Sequence, residues 1–146
     1  MDALRGHKTI LLDTSIWIYH LEQHPRFGGI ATKILSALES GEFHGIASEL
    51  ILTELLVRPL KLNRQDIADE YELLLSNFPN LTFIPVDREI LLGAATLRAF
   101  FKLRTPDAIL FSTALKERAT AVISNDTSWR KVSGLVSVIL LNDLES

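Results

Sequence analysis

Short apolar runs alternate with longer helical stretches along the whole chain, and this alternation restricts the possible folds more than any other feature. The runs are dense in Ile, Leu and Val and show little polar–apolar alternation, as expected for parallel strands covered on both faces. The pattern predicts an α/β fold, a three-layer α/β/α sandwich with a mostly parallel central sheet. The predicted strands are Thr9–Leu12, Phe43–Ala47, Leu81–Val86, Ala121–Ser124 and Val136–Leu141.

Helices are predicted between these strands from apolar periodicity and from residues that favour helix ends. The third is expected to halt before Arg58-Pro59, because the residue before a proline disfavours helical backbone. Asp87 is expected to cap the fifth helix and Thr105 the sixth. The predicted helices are Ser15–Glu22, Ile30–Ser40, Glu49–Val57, Arg64–Asn77, Arg88–Lys102 and Pro106–Arg118.

Composition narrows the class of protein. The 146 residues are 47 % hydrophobic and 23 % charged, and we expect a single globular domain over residues 1–146. The absence of cysteine excludes disulfides and fits a reducing compartment, and no apolar run approaches the roughly 18 residues of a membrane span. The first residues, MDALRGHK, do not resemble a secretory signal, so we expect a cytoplasmic protein. A formal net charge of −3 argues against a general nucleic-acid binder.

Four acids stand at points where an α/β fold builds binding sites. Asp13 follows the first strand, Asp126 follows the fourth, Asp107 opens a helix, and Glu54 lies within SELILTELLV. Because the carboxyl ends of parallel strands share one edge of a sheet, we expect these acids to meet in one pocket. Clustered carboxylates raise one another's pKa values and are stabilised by hard divalent cations such as Mg²⁺ or Mn²⁺. This pattern predicts a metal site.

Each acid also has a purely structural interpretation, which the sequence leaves open. Aspartates favour helix caps, helix first turns and turns, and a glutamate can pair with an arginine one helical turn away. The alternatives are capping for Asp13, the helix dipole for Asp107, turn chemistry for Asn125-Asp126 and an ion pair with Arg58 for Glu54.

Glu54 fits its structural interpretation least well. On a helical wheel it falls between Leu50 and Ile51, at the border of a surface that should be buried. Burying an ionised carboxylate without a partner is costly, so we expect either a cation or Arg58 beside it.

In these motifs the chain resembles the PIN-domain family, and especially the small single-domain toxins of the VapC type. LLDTSIWI resembles the first family motif, ASELILTELL the second, RTPDAILFSTAL the third and AVISNDTSWRKV the fourth, and the final strand VSVILL also matches. The four motifs occur in order over nearly the whole chain. Trp129 stands where the family more often has Phe, a conservative departure that we expect to reshape one wall of the site at most.

The resemblance implies a three-layer PIN fold whose acidic pocket binds Mg²⁺ or Mn²⁺ and hydrolyses RNA. It also implies a cognate antitoxin that occludes the site, and a homodimer. On this basis we expect Asp13 and Asp107 to be direct metal ligands, with Glu54 and Asp126 positioning water or a second ion. We expect the ligands to be oriented by neighbouring polar residues, for which helix capping is an equal alternative: Thr14, Ser15, Ser124 and Asn125.

Basic residues flank the motifs and could steer phosphate, although an ordinary solvated surface explains them equally well. Two other functions stay open at this stage: a metal-binding regulatory module without turnover, and an RNA-processing nuclease that is not a toxin. The flanking basic residues are Arg58, Lys61, Arg64, Lys102, Arg104, Arg130 and Lys131.

Overall fold

The apolar runs pair into one parallel sheet. A computed structural model describes residues 2–144 of the protein, and within them five strands form the order β3-β2-β1-β4-β5. Every neighbouring pair is parallel. The strands are β1 (Thr9–Leu12), β2 (His44–Ser48), β3 (Leu81–Ile84), β4 (Ala121–Ser124) and β5 (Ser137–Leu140).

Helices fill the connections between the strands. Short 3₁₀ helices cover Asp2–Leu4, Glu49–Ile51 and Thr127–Val132. The α-helices of residues 2–144 are α1 (Thr14–Leu21), α2 (Gly28–Glu39), α3 (Leu52–Leu55), α4 (Val57–Lys61), α5 (Gln65–Ser76), α6 (Arg88–Phe101), α7 (Thr105–Lys116) and α8 (Leu141–Leu144). Over the same residues, none of these helices has the length and apolar character needed to cross a membrane.

The sheet order places helices on both faces. The chain steps from β1 to β2 to β3 in one direction and then crosses back to β4 and β5 on the other side of β1. Because parallel crossovers are right-handed, the helices of the outward path and those of the return path cover opposite faces. α1 packs against α2, and α6 packs against α7. The predicted three-layer α/β/α fold with a parallel sheet is confirmed.

The core lies where the central strands meet the helices. All residues of β4 and the last three of β1 are buried, as continuous apolar strands require. Trp17 and Trp129 are fully buried, and the Trp129 ring packs edge-on against Phe111 with centroids 4.6 Å apart. Trp129 therefore fills the core beneath the fourth motif.

Two predicted helix ends were wrong. The third predicted helix does not halt before Arg58-Pro59: α3 ends at Leu55, and α4 runs through Pro59. Pro59 lies in the first turn of α4, where a missing backbone N–H costs nothing because that donor has no partner within the helix. The cap of α7 is Arg104 and not Thr105, since Arg104 holds the extended backbone (φ −68°, ψ 155°) that precedes the helix.

The predicted Asp87 cap is confirmed, because its carboxylate accepts a hydrogen bond from the Ile90 N–H at 2.9 Å. The last strand is shorter than predicted. It ends at Leu140, and Leu141 already begins α8, a single turn whose four residues are too few to show helical periodicity in the sequence.

Leu11 tests the contribution of the central strand to stability. Its side chain is 0 % exposed, whereas Leu73 on α5 is 66 % exposed. We expect Leu11→Ala to lower the free energy of unfolding by about 2–5 kcal/mol, because it removes buried methyl groups and leaves a cavity. The matched control Leu73→Ala should stay within about 0.5 kcal/mol of the parent protein. Urea denaturation followed by circular dichroism measures both, and equal effects would contradict this description of the core.

Candidate functional site

The carboxyl edge of the sheet gathers the predicted acids because β1 and β4 are neighbours there. Register pairs Leu12 with Ile123, so Asp13 is the first residue beyond the paired part of β1. Its N–H donates to the Ile123 carbonyl at 3.0 Å. The chain leaves β1 toward β2 while β4 lies on the opposite side, and such a switch point is the usual place of binding sites in open α/β sheets.

Three donors fix the Asp13 carboxylate. Oδ1 accepts from the Thr14 backbone N–H at 2.7 Å, and Oδ2 accepts from the hydroxyls of Ser124 at 2.7 Å and Ser15 at 3.2 Å. Asp13 is therefore the N-cap of α1, and the capping interpretation is confirmed. The cap and the site use the same side chain, so capping gives no ground for excluding Asp13 from chemistry.

The Asp13 carboxyl group holds its proton unusually firmly. Burial raises its pKa to about 6, against the pull of the hydrogen bonds from Ser124, Thr14 and Ser15, and the charge of Glu54 raises the pKa further. A buried carboxylate with a like charge nearby is a place where a cation is favourable.

The helical wheel placed Glu54 at the border of a buried surface. In the structure its side chain is exposed on α3, although neighbouring atoms still desolvate it in part. The wheel assumed about 3.6 residues per turn throughout, whereas the preceding 3₁₀ helix has about three. The change of pitch rotates Glu54 out of the face that its neighbours bury. Arg58 pairs with Glu22 at the end of α1, so the alternative of a Glu54–Arg58 pair was also wrong.

Glu54 nevertheless senses the other acids. Partial burial raises its pKa, and the negative charge of Asp107 raises it again. The Thr14 hydroxyl and the Arg104 guanidinium act in the opposite direction. Since Asp13 responds to Glu54 and Glu54 responds to Asp107, the three carboxyl groups form one electrostatically coupled set.

Asp107 reaches the same edge through α7. The end of α7 leads into the start of β4 at the opposite edge of the sheet, so the N-terminus of α7 lies toward the carboxyl edge, where Asp107 acts on Glu54. Asp107 is in the first turn of α7, where a negative charge is favourable, and its side chain is buried. Its Oδ2 accepts a hydrogen bond from Arg104 Nε at 3.3 Å.

Asp126 lies beyond β4 and caps the 3₁₀ helix that follows. Its Oδ1 accepts from the backbone N–H of Ser128 at 2.9 Å and from the Ser128 hydroxyl at 2.7 Å. The Asp126 N–H donates to Ser124 Oγ at 3.0 Å, and Ser124 in turn donates to Asp13. Ser124 thus ties the two strand ends together, although the Asp126 carboxylate itself points to local structure.

Two further polar side chains near the site each have a buried oxygen atom that makes no hydrogen bond of normal geometry with the described residues. The Thr14 hydroxyl is buried and makes no hydrogen bond of normal geometry with any described residue. Asn125 donates from Nδ2 to the Tyr19 hydroxyl at 3.2 Å, while its buried Oδ1 accepts from none of the residues 2–144. Asn125 therefore contacts α1 and not an acid, unlike Thr14, Ser15 and Ser124.

The side chains of the site have the ligand chemistry that a hard divalent cation prefers, but they are not arranged as a complete coordination shell. Carboxylate and hydroxyl oxygens are the ligands that Mg²⁺ and Mn²⁺ prefer. The negative charge around Asp13, which burial and Glu54 make unfavourable, suits such an ion. In the part of the chain that the structure describes, no three His, Cys, Asp or Glu side chains form a ready metal-binding group. A metal ion bound here would need the side chains to rotate on the backbone.

An apolar cavity of about 320 Å³ opens beside Glu54. It lies between α1, α3, α4 and α5, and the Glu22–Arg58 ion pair stands in its wall. Its lining residues are Ile18, Leu21, Glu22, Glu54, Leu55, Arg58, Pro59, Leu62, Ile67 and Tyr71. Glu54 is shared by the cavity and the carboxylate site, so a molecule bound in the cavity would touch the acidic edge.

Two contacts of the site were not anticipated from the sequence. The Arg104–Asp107 pair has the i,i+3 spacing that brings helical side chains together, so the spacing itself could have revealed it. The bond between Tyr19 and Asn125 joins residues 106 positions apart, and no local pattern signals such a contact.

The fold and site define an α/β protein with a switch-point carboxylate cluster at the edge of a parallel sheet. The family model of the PIN domain matches residues 10–135, and the chain belongs to this family. No curated protein sequence matches the chain.

Solved structures similar to this chain include toxin–antitoxin proteins, all at low identity. The toxin–antitoxin complex from Klebsiella pneumoniae is 23 % identical with a TM-score of 0.68, over 90 % of this chain and 97 % of that one. VapC20 from Mycobacterium tuberculosis, a toxin that cleaves the sarcin–ricin loop, is 16 % identical (TM-score 0.71; 89 % and 98 % covered). DNA-bound VapBC from Salmonella typhimurium is 17 % identical (TM-score 0.69; 92 % and 98 % covered). These similarities establish the fold.

The raised pKa of Asp13 predicts an unusual pH dependence of stability in EDTA. Between an unfolded pKa of about 3.9 and the folded pKa of about 6, the folded state binds more protons. The free energy of unfolding should therefore fall as pH rises through this window, by up to about 3 kcal/mol. Asp13→Asn should remove most of this fall and leave only the pH dependence of stability that comes from the raised pKa of Glu54.

Urea denaturation in EDTA at intervals from pH 4 to pH 7.5 measures this dependence. Asp2→Asn, at the opposite edge of the sheet, is the control and should follow the parent curve. An Asp13→Asn curve as steep as that of the parent would show that burial does not hold the Asp13 proton.

Proposed function

We propose that the protein is a metal-dependent endoribonuclease that hydrolyses RNA phosphodiester bonds with Mg²⁺ or Mn²⁺. The observation that carries this proposal is the electrostatic coupling of Asp13, Glu54 and Asp107 at the carboxyl edge of a PIN-domain sheet. Such coupling is unfavourable for a structural surface and useful for a cation site.

Asp13 and Asp107 are the proposed direct ligands, since both are fixed on rigid elements and largely buried. Glu54 is exposed at the rim, and the Asp126 carboxylate already accepts hydrogen bonds from Ser128, so both are better placed to act through water. A bound Mg²⁺ would lower the pKa of a water molecule and stabilise charge on the leaving oxygen.

The surrounding residues orient these ligands. Ser124, Ser15 and the Thr14 N–H hold the Asp13 carboxylate by three hydrogen bonds, which fixes the direction of its free lone pairs. The Thr14 hydroxyl, free of other partners within residues 2–144, can turn toward Glu54. Asn125 is held by Tyr19 and supports the loop after β4.

Ion pairs reduce the number of flanking basic residues that could attract RNA. Three of the seven flanking basic residues pair with carboxylates outside the site: Arg58 with Glu22, Arg64 with Asp66 and Arg130 with Asp143. The others are Lys61, Lys102, Arg104 and Lys131. We propose that Lys102, Arg104 and Lys131, which flank the third and fourth motifs, attract phosphate to the acidic edge.

We further propose that the protein is the toxin of a toxin–antitoxin pair and acts in the cytoplasm as a homodimer. The similar structures are of toxin–antitoxin proteins, which supports this assignment. Exposed apolar side chains on α6, Leu92 and Phe100 among them, offer a face for a second copy. The apolar cavity beside Glu54 offers a place for an antitoxin segment that covers the site.

Asp13→Asn and Asp107→Asn should each reduce Mg²⁺-dependent RNA cleavage by at least about a hundredfold without unfolding the protein, because each removes a charged ligand. Gel assays on a panel of RNAs with Mg²⁺, Mn²⁺ or EDTA measure this. Asp126→Asn should cause a smaller loss, and Asp66→Asn, exposed on α5, should cause none. Full activity in Asp13→Asn would refute the assignment, and no cleavage by the parent protein would favour a metal-binding module.

The antitoxin proposal is tested by co-expression with the product of the neighbouring reading frame. Leu62 is 63 % exposed and lines the cavity, whereas Leu73 is similarly exposed on α5 outside it. We expect Leu62→Asp to weaken the complex by about tenfold or more, because a charge would be buried in an apolar contact, and Leu73→Asp to leave it intact. Surface plasmon resonance measures the affinity of each variant for the neighbouring protein. A neighbouring protein that neither binds nor inhibits would favour a nuclease that is not a toxin.

A further inference from the structure

We infer that Arg104 is a built-in counter-ion of the carboxylate site. Its guanidinium holds Asp107 until a divalent cation takes that place, and it then binds a phosphate of the RNA substrate. The inference rests on the proposed function, because it requires the site to accept a divalent cation.

The ion pair joins a buried anion to an exposed cation. Arg104 Nε lies 3.3 Å from Asp107 Oδ2, and the Asp107 side chain is 11 % exposed against 77 % for Arg104. The same guanidinium acts on Glu54, whose pKa it lowers. One arginine thus compensates two acids of the coupled set. Because the guanidinium itself is exposed, water screens its attraction to Asp107, and another cation can replace it there.

The backbone beneath Arg104 is held in place, so the side chain can move alone. Leu103 is buried, and its carbonyl accepts from Arg98 Nε at 3.4 Å. The Lys102 carbonyl accepts from Lys131 Nζ at 3.3 Å. These contacts anchor the segment before α7 to α6 and to the loop after β4.

A metal ion and the guanidinium compete for the same oxygen. When Asp107 coordinates a cation, the attraction that kept Arg104 in place is replaced by repulsion between two positive charges. The freed guanidinium stays at the rim of the site because its backbone does not move. Its planar fork of N–H donors suits a phosphate group, which arrives at the same rim during hydrolysis.

Calorimetric titration of Mn²⁺ into the RNA-free protein tests the competition directly. Arg104→Met should bind Mn²⁺ about three- to tenfold more tightly than the parent, the scale of one partly exposed ion pair. Arg104→Gln should behave likewise, so a folding defect in one variant does not remove the test. By linkage, saturating Mn²⁺ should also raise the melting temperature of these variants by more than that of the parent.

Arg5 provides a matched control. It forms an i,i+3 pair with Asp2 at 3.5 Å, with a similarly exposed side chain, but it precedes β1 and so lies at the opposite edge of the sheet. Arg5→Met should bind Mn²⁺ with the affinity of the parent and cleave RNA with its kinetic constants.

Kinetics at saturating Mn²⁺ test the phosphate contact. Arg104→Met should raise KM for RNA by about tenfold and change kcat by less than about threefold, because the lost contact serves binding. Arg104→Lys should give a KM between those of the parent and Arg104→Met. Lysine keeps a charge that can contact phosphate but lacks the planar fork of N–H donors. A purely structural role would lower the melting temperature with and without metal.

The outcomes separate the two proposals. If the parent protein does not bind Mn²⁺, both the proposed function and this inference fail. If the parent binds and Arg104→Met binds equally or less tightly, only the inference fails. Tighter Mn²⁺ binding with an unchanged KM would overturn the phosphate contact, and tighter binding with a raised KM supports the whole proposal.

Discussion

The parallel pairing of β1 with β4 is the constraint on which the carboxylate site depends. It places Asp13 next to the end of β4, where Ser124 bonds to Asp13 with its hydroxyl and receives the Asp126 N–H. The connections through α3 and α7 then bring Glu54 and Asp107 to the same edge. Asp13 and Ser124, 111 positions apart in the chain, therefore bond directly through the geometry of two neighbouring strands.

The acids of this edge also stabilise the elements that carry them. Asp13 caps α1, Asp126 caps the 3₁₀ helix after β4, and Asp107 lies at the positive end of α7. Structural and functional interpretations of a carboxylate are usually weighed against each other, but here they describe the same side chains. A carboxylate that accepts from its own helix N-terminus, as Asp13 does from the Thr14 N–H, is held in a fixed direction at the edge of the sheet.

The sequence predicted the strands, the sheet type and most helices because each depends on local apolar pattern and on capping residues. The β1 and β4 boundaries agree with the structure to the residue. The errors occurred where local rules compete: Pro59 fits a first helical turn as well as a helix stop, and a 3₁₀ turn shifts the phase of Glu54. The set of four acids came from position and family resemblance, whereas the Tyr19–Asn125 bond depends on tertiary structure alone.

The site compensates its negative charge in two ways when it holds no metal. Asp13 accepts three hydrogen bonds and keeps a proton up to about pH 6, whereas Asp107 keeps an ion pair with Arg104. Under the proposed function a divalent cation would replace both, one by loss of a proton and the other by movement of an exposed side chain. Because the two compensating charges differ in chemistry, proton concentration and guanidinium mobility would act on cation affinity through separate residues.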